Sequence, residues 1–262
     1  TLHTLRIAGA RFATVPCDGD GMGIEALPAV VDRATAETGR RPKLVYTVPD
    51  FSNPTGATLA ADRRARLVEL AHELELPVLE DDPYGRLRYA GEPLSPLARL
   101  AGDDGHVVYA SSFSKVLAPG VRVAWVVGPP ELIRTMTLLR QGADLCTSTV
   151  TQALVAEYCR RGHLDRHLGH ILDVYAARRD AMLEAMDRHL DPSTVAWHPP
   201  DGGFFVWARF PDRAADAVFE RAVSEGVAFV PGGAFFPASD EQVGEPVTGP
   251  DRARLCFTFA DA

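Results

Sequence analysis

The chain has 262 residues, 46% of them hydrophobic, and a formal net charge of −8. That is enough for one large domain or two smaller ones with a real core. The acidic balance and the lack of any long Lys/Arg cluster argue against a nucleic-acid interface on this segment, and the longest apolar runs, such as 121–127, are strand length, so no membrane span is expected.

Residues 11–16 read as a short strand, followed by the polar, Gly-rich loop CDGDGMG (17–23) and a helix over 24–38. The loop lacks the third glycine of a dinucleotide fingerprint, and its aspartates would repel a pyrophosphate. KLVYTV (43–48) reads as a buried strand and PDFSNPTG as a dense cluster of chain breakers. A helix is expected over 60–74, where Leu67, Leu70, Ala71 and Leu74 share one face. LPVLEDD (76–82) is the next strand, ending in three carboxylates. Residues 106–110 and 121–127 are two more, with a loop carrying Lys115 between them. This strand–helix–strand order predicts parallel βαβ units, whose ligands bind at the carboxyl ends of the strands.

From 148 onward the pattern is helical. Leu164, Leu168, Ile171, Leu172 and Tyr175 form one stripe of a long helix running to about 190. Beyond Pro192, residues 204–210, 227–232 and 254–259 read as strands and 212–225 as a helix, giving a second, smaller α+β unit. Cys17, Cys146, Cys159 and Cys256 are widely spaced with no C-x-x-C, as in reduced thiols of a cytoplasmic protein. His163, His167 and His170 have a spacing compatible with a metal, but they lie opposite the apolar stripe and read as solvated; no metal is expected.

Lys43 and Lys115 are the two lysines among 27 Lys and Arg residues. Arginine keeps its proton at physiological pH. Lysine loses it once desolvation or nearby positive charge lowers its pKa from roughly 10.4, so Lys115 is a candidate amine nucleophile. Lys43 reads as a solvated residue ahead of a strand. Ser112 and Ser114 set hydroxyls beside Lys115, and Arg122 follows a Pro119-Gly120 turn; hydroxyls with a guanidinium make a phosphate site. An amine beside a phosphate site points to a phosphorylated aldehyde held as a Schiff base, which is the chemistry of pyridoxal phosphate. EDDPY places carboxylates where one would keep a pyridine nitrogen protonated, and SNPTG offers an amide for the ring hydroxyl. SFSK also matches the S-x-x-K of serine β-lactamases. Pro119 and Gly120 interrupt the helix that reading needs, and no lysine follows Lys115 to make a K-T-G.

In order, SNPTG, EDDPYGRLRY, SSFSKVLAPGVR, PDGGFFVW, GVAFVPGGAFF and RLCF resemble the fold-type I pyridoxal-phosphate aminotransferases of class I and II, most nearly their 2-aminoadipate/aromatic (LysN-like) subgroup. The resemblance runs along essentially the whole chain. It implies an α/β architecture: a three-layer large domain with a mostly parallel sheet, partial here, over 1–170, and a small α+β domain over 171–262 that opens with the long connecting helix. It implies a transaminase that moves an amino group between an α-amino acid and a 2-oxo acid, working as a cytoplasmic homodimer. Lys115, Asp81 and Tyr84 would be the catalytic residues. Lys115 would bind the cofactor and shuttle a proton. Asp81 would pair with the ring nitrogen, since the family spacing Asp-x-x-Tyr selects it with Tyr84 over Asp82. Tyr84 and Asn53 would ligate the ring hydroxyl, Ser112, Ser114 and Arg122 the phosphate. Arg254 would clamp the substrate α-carboxylate, with Asn53 beside the substrate. The same subgroup resembles the effector domain of MocR-type regulators, so a cofactor-binding sensor behind an upstream DNA-binding module is the alternative. The family's large domain begins well before a stretch like TLHTLRIAGARF, and a helix usually follows the strand holding the clamp. The resemblance therefore also implies a chain shortened at both ends, with the residue that stacks on the pyridine ring lying outside it.

Overall fold

The computed structural model describes residues 1–103, 105–244 and 247–259. The chain opens with α1 (Leu2–Ile7) and β1 (Phe12–Ala13), then β2 (Cys17–Asp18) and β3 (Gly21–Met22). The strand expected over 11–16 shrinks to β1, which pairs in parallel with Gln242 and Val243. The expected loop 17–23 is a small antiparallel ribbon instead, β2 against β3. Asp18 Oδ1 accepts the Asp20 N–H at 2.9 Å, and Gly21 takes a φ of +90°, so the aspartates and glycines close a tight turn.

A 3-10 turn, Ile24–Ala26, leads into α2 (Leu27–Thr38), which buries Leu27, Val30, Val31 and Ala34 at helical spacing. It ends where Gly39 adopts a left-handed φ of 65°. There follow β4 (Val45–Thr47), α3 (Ala61–Glu73), β5 (Val78–Asp81), α4 (Leu97–Ala101), β6 (Val107–Ser112) and β7 (Ala124–Val127). The sheet order is β4-β5-β6-β7. The first three strands are parallel, as expected, and β7 runs antiparallel to β6. The connection between Ser112 and Ala124 is too short for the crossover a parallel strand would need. Leu67, Leu70 and Ala71 of α3 pack with Val78, Leu97, Leu27 and Val31 in one core cluster. Each such fully buried Leu contributes about 1.5–3 kcal/mol.

Next come α5 (Pro130–Asp144), α6 (Thr149–Arg160) and α7 (His163–His189). The sequence reading did not anticipate α5. None of its residues is buried, and Leu132, Met136, Leu138 and Leu139 are exposed, as are Trp125 and Val127 of β7 and Val150 and Leu154 of α6. The stripe on α7 buries Leu164 and Leu168. Among the described residues no helix is long and apolar enough to cross a membrane.

The last part comprises β8 (Ala196–Trp197), β9 (Phe205–Arg209), α8 (Ala215–Ser224), β10 (Val230–Pro231), β11 (Gln242–Val243) and β12 (Arg252–Cys256). Its four-stranded sheet has the order β10-β12-β9-β8, antiparallel throughout. The strand expected over 227–232 narrows to β10. That expected over 254–259 starts two residues earlier and stops at Cys256, because Phe257 leaves the ladder to pack with Met186 and Val206. The two sheets meet through Phe51, which is fully buried. A Cβ on Gly202 would collide with the Phe51 ring and the Leu87 carbonyl, so only glycine allows this approach.

Candidate active site

The three carboxylates that end β5 have separate environments, set by the two-residue period of a strand. Glu80 points into the buried face with Val78, where it accepts the N–H groups of Leu97 (2.8 Å) and Ala98 (2.9 Å) at the start of α4. Burial pushes its pKa up, and those two N–H groups oppose the shift. Asp82 accepts the Gly85 N–H at 2.7 Å on one oxygen and the Tyr109 hydroxyl at 2.8 Å on the other, and burial pushes its pKa up as well. Both are committed to the scaffold. Asp81 lies on the opposite face from Glu80. Its Oδ2 accepts the Tyr46 hydroxyl at 2.6 Å, and among the described residues no donor reaches Oδ1.

The breaker cluster after β4 is held by a buried ion network. Asp50 pairs with Arg64 at 2.8 Å and Arg88 at 3.0 Å. Arg64, 1% exposed, also donates to the carbonyls of Leu59 (2.9 Å), Ser95 (3.0 Å) and Pro49 (3.1 Å). This fixes both ends of the loop that presents Asn53. Asn53 Oδ1 accepts from Arg254 Nη1 at 2.7 Å. The Arg254 guanidinium lies between the rings of Phe205 (4.3 Å to the centroid) and Phe235 (4.9 Å). Its Nε is buried with no hydrogen-bond partner among the described residues, and burial pushes its pKa below the usual guanidinium value.

Lys115 follows β6 in a turn anchored by the buried Val116. In that turn the Ser114 N–H donates to Ser112 Oγ at 3.3 Å. Lys115 Nζ is 5.9 Å from the Phe204 ring centroid, and among the described residues it forms no ion pair. Phe204 also meets Tyr84 (5.6 Å) and Tyr175 (5.2 Å) edge to face. Tyr84 is 5% exposed; burial pushes its phenol up to about 12, against a downward pull from Arg254.

The structure thus joins Asn53 to Arg254, Ser112 to Ser114, and Tyr84 to Lys115 through Phe204. Arg122 stands apart. It is exposed in a left-handed conformation (φ 53°, ψ 35°), with Nη1 donating to Pro119 O at 3.2 Å. Sequence reasoning missed Tyr46, Asp50, Arg64, Arg88 and the aromatic walls Phe205 and Phe235. One signal was there for Arg64: it precedes Leu67 by three residues, on the face of α3 that is otherwise apolar.

An amine, a carboxylate with one oxygen uncommitted and a half-buried guanidinium, gathered around the carboxyl ends of parallel strands, define an α/β protein with a small-molecule site. The profile of the aminotransferase class I and II family matches residues 2–260, and the chain belongs to that family. It is 42% identical over 259 residues to aromatic-amino-acid aminotransferase 1 of Thermococcus litoralis, covering 98% of this chain and 60% of that protein. The solved structure of LysN, the alpha-aminoadipate aminotransferase of Thermus thermophilus, superposes with a TM-score of 0.88 at 38% identity, covering 99% of this chain and 64% of that one. The chain is also 32% identical to the uncharacterized HTH-type transcriptional regulator YdfD of Bacillus subtilis, over 87% of its own length and 46% of the regulator's. It therefore spans about 60% of the length of the aminotransferases it matches. The α/β class and the resemblance carried by the motifs are both borne out.

Proposed function

We propose that this chain is the catalytic portion of a pyridoxal-phosphate-dependent transaminase, moving an amino group between an α-amino acid and a 2-oxo acid. The observation that carries the reading is the set of three groups with unused capacity: the Lys115 amine, Asp81 Oδ1 and the buried Nε of Arg254. They fit an aldehyde, a pyridine nitrogen and a substrate carboxylate in turn. The Thermus thermophilus LysN structure was solved with N-(5'-phosphopyridoxyl)-L-leucine, which supports the choice of cofactor.

Pyridoxal phosphate, when bound, supplies a ring that accepts the electron pair left at Cα when its proton departs. Lys115 would bind the cofactor aldehyde and carry the Cα proton on Nζ. Asp81 would pair with the protonated ring nitrogen through Oδ1. The Tyr84 hydroxyl and the Asn53 amide would bind the ring hydroxyl, and Ser112, Ser114 and Arg122 would hold the phosphate. Arg254 grips the substrate carboxylate, with Asn53 orienting one edge of the guanidinium and Phe205 and Phe235 keeping water from its faces. We also propose the division into 1–170 and 171–262 with α7 as connecting helix, a homodimeric assembly, and a cytoplasmic location, for which the four unpaired cysteines speak.

The similarity to YdfD favours one second reading, a cofactor-binding effector domain. Titrating the cofactor-loaded protein with amino donors and 2-oxo acids separates the two. Transamination predicts a visible absorption band that a donor shifts and an oxo acid restores, with a new amino acid released. A band with no turnover on any donor selects the regulatory reading, and the absence of a band refutes both.

A further inference from the structure

We propose that Tyr46 is a positioning residue for Asp81: its hydroxyl occupies Oδ2, fixes the orientation of the carboxylate and leaves Oδ1 to serve the pyridine nitrogen. This rests on the reading of Asp81 as partner of that nitrogen. The geometry comes from the sheet. β4 and β5 are parallel neighbours with Tyr46 opposite Leu79 and Thr47 opposite Glu80. Val45 and Thr47 are buried, as are Val78 and Glu80, so Tyr46, Leu79 and Asp81 share the other face. Asp81 is the diagonal neighbour of Tyr46, within reach of a long phenol.

The contact, 2.6 Å from Tyr46 Oη to Asp81 Oδ2, has the length of a charge-assisted O–H···O bond. A hydrogen bond donated to the charged form of a carboxyl favours that form. A cofactor nitrogen stays protonated only while its partner is a carboxylate, so the phenol acts through Asp81 on the electron-accepting strength of the ring. Tyr46 is suited to remain a donor, because burial and the neighbouring Asp81 charge both push its pKa up. The groups that face this pair are Asp81 on β5, Tyr84 from the turn beyond it, and the hydroxyl of Thr1, 3.0 Å from Tyr46 Oη. On the β6 side Asp81 stands opposite Ala110, which does not titrate.

The test compares Tyr46→Phe, Asp81→Asn and wild type for cofactor dissociation constant and for the pH midpoint of the visible absorption band. For Tyr46→Phe we expect about tenfold weaker cofactor binding, the size of one lost hydrogen bond to a charged group. We also expect an upward shift of the midpoint, since a less cationic ring no longer depresses the pKa of the nitrogen linked to Lys115. Replacing Tyr46 by 3-fluorotyrosine, a stronger donor of nearly the same shape, should move the midpoint the other way and keeps the test available if the phenylalanine variant folds poorly. Asp81→Asn changing both readouts while both Tyr46 variants match wild type would reduce Tyr46 to packing and overturn the inference. Asp81→Asn matching wild type would instead remove the site reading on which it rests.

Discussion

Arg254 Nη1 donates to Asn53 Oδ1 at 2.7 Å, joining residues 201 positions apart and tying the sheet of β10, β12, β9 and β8 to the loop that follows β4. The guanidinium is also sandwiched by Phe205 and Phe235, so its plane is set before any carboxylate arrives. Lysine at this position keeps the charge but loses both the fork and the stacking. Arg254→Lys should raise KM for every amino donor at least tenfold, as expected for about 1.4 kcal/mol or more of lost binding, while the cofactor's visible band stays as in wild type. Steady-state kinetics with a donor panel read this directly; an unchanged KM for all donors contradicts the clamp.

Adjacent aspartates should behave in opposite ways. Asp82 has both oxygens engaged, by the Gly85 N–H and the Tyr109 hydroxyl, so Asp82→Ala strands two part-buried donors. It should cost about 1–3 kcal/mol of stability by denaturant unfolding of the cofactor-free protein. Asp81→Asn should leave that stability nearly unchanged and slow Cα proton abstraction by orders of magnitude, measured as deuterium wash-out from the substrate. Slow exchange in the Asp82 variant with normal exchange in Asp81→Asn would show that the register is off by one.

The phenol of Tyr84 titrates late. Its pKa is raised from 10.0 to about 12, with burial the largest cause. A folded-state pKa above the unfolded value means that Tyr84 contributes its full stability below pH 10 and loses it as pH rises toward 12. Difference absorbance at phenolate wavelengths between wild type and Tyr84→Phe should therefore show a step centred near pH 12, not near 10. A step near 10 would place the hydroxyl in solvent.

Arg64 balances the charge of Asp50 together with Arg88 and bonds three carbonyls around the Asn53 loop. Breaking a buried pair from one side typically costs about 3–5 kcal/mol. Arg64→Met should lose that much by urea denaturation. The double variant Asp50→Asn/Arg64→Met should recover part of it, because no uncompensated carboxylate remains. Equal stability of wild type and the single variant would show that the network does not hold the loop.

What was legible in the sequence follows physical lines. The face formed by Leu67, Leu70 and Ala71 reports burial directly, and the structure keeps it. α5 went unread although Leu132, Met136 and Leu139 recur at helical spacing; its apolar residues are solvent-exposed in the structure. β10 is shorter than its apolar run because Val227 is exposed and only Val230 and Pro231 reach a partner strand. In the site, the residues named in advance sit in short motifs at the ends of strands or just after them, with Arg254 inside β12. Those missed act across elements: Tyr46 on the strand next to Asp81, Arg88 and Arg64 converging on Asp50, and Phe205 and Phe235 around Arg254. Such pairings depend on register and topology, which periodicity alone does not encode.

Lys115 carries the central claim, and the chain's two lysines make the test unambiguous. Lys43 is exposed just ahead of β4, whereas Lys115 is half-buried against Phe204 at the carboxyl end of β6. The cofactor-saturated protein is reduced with borohydride, digested, and its peptides mapped by mass spectrometry. The account predicts a stoichiometric phosphopyridoxyl group on Lys115 and none on Lys43. A label confined to Lys43, or no label on Lys115 at saturation, contradicts it.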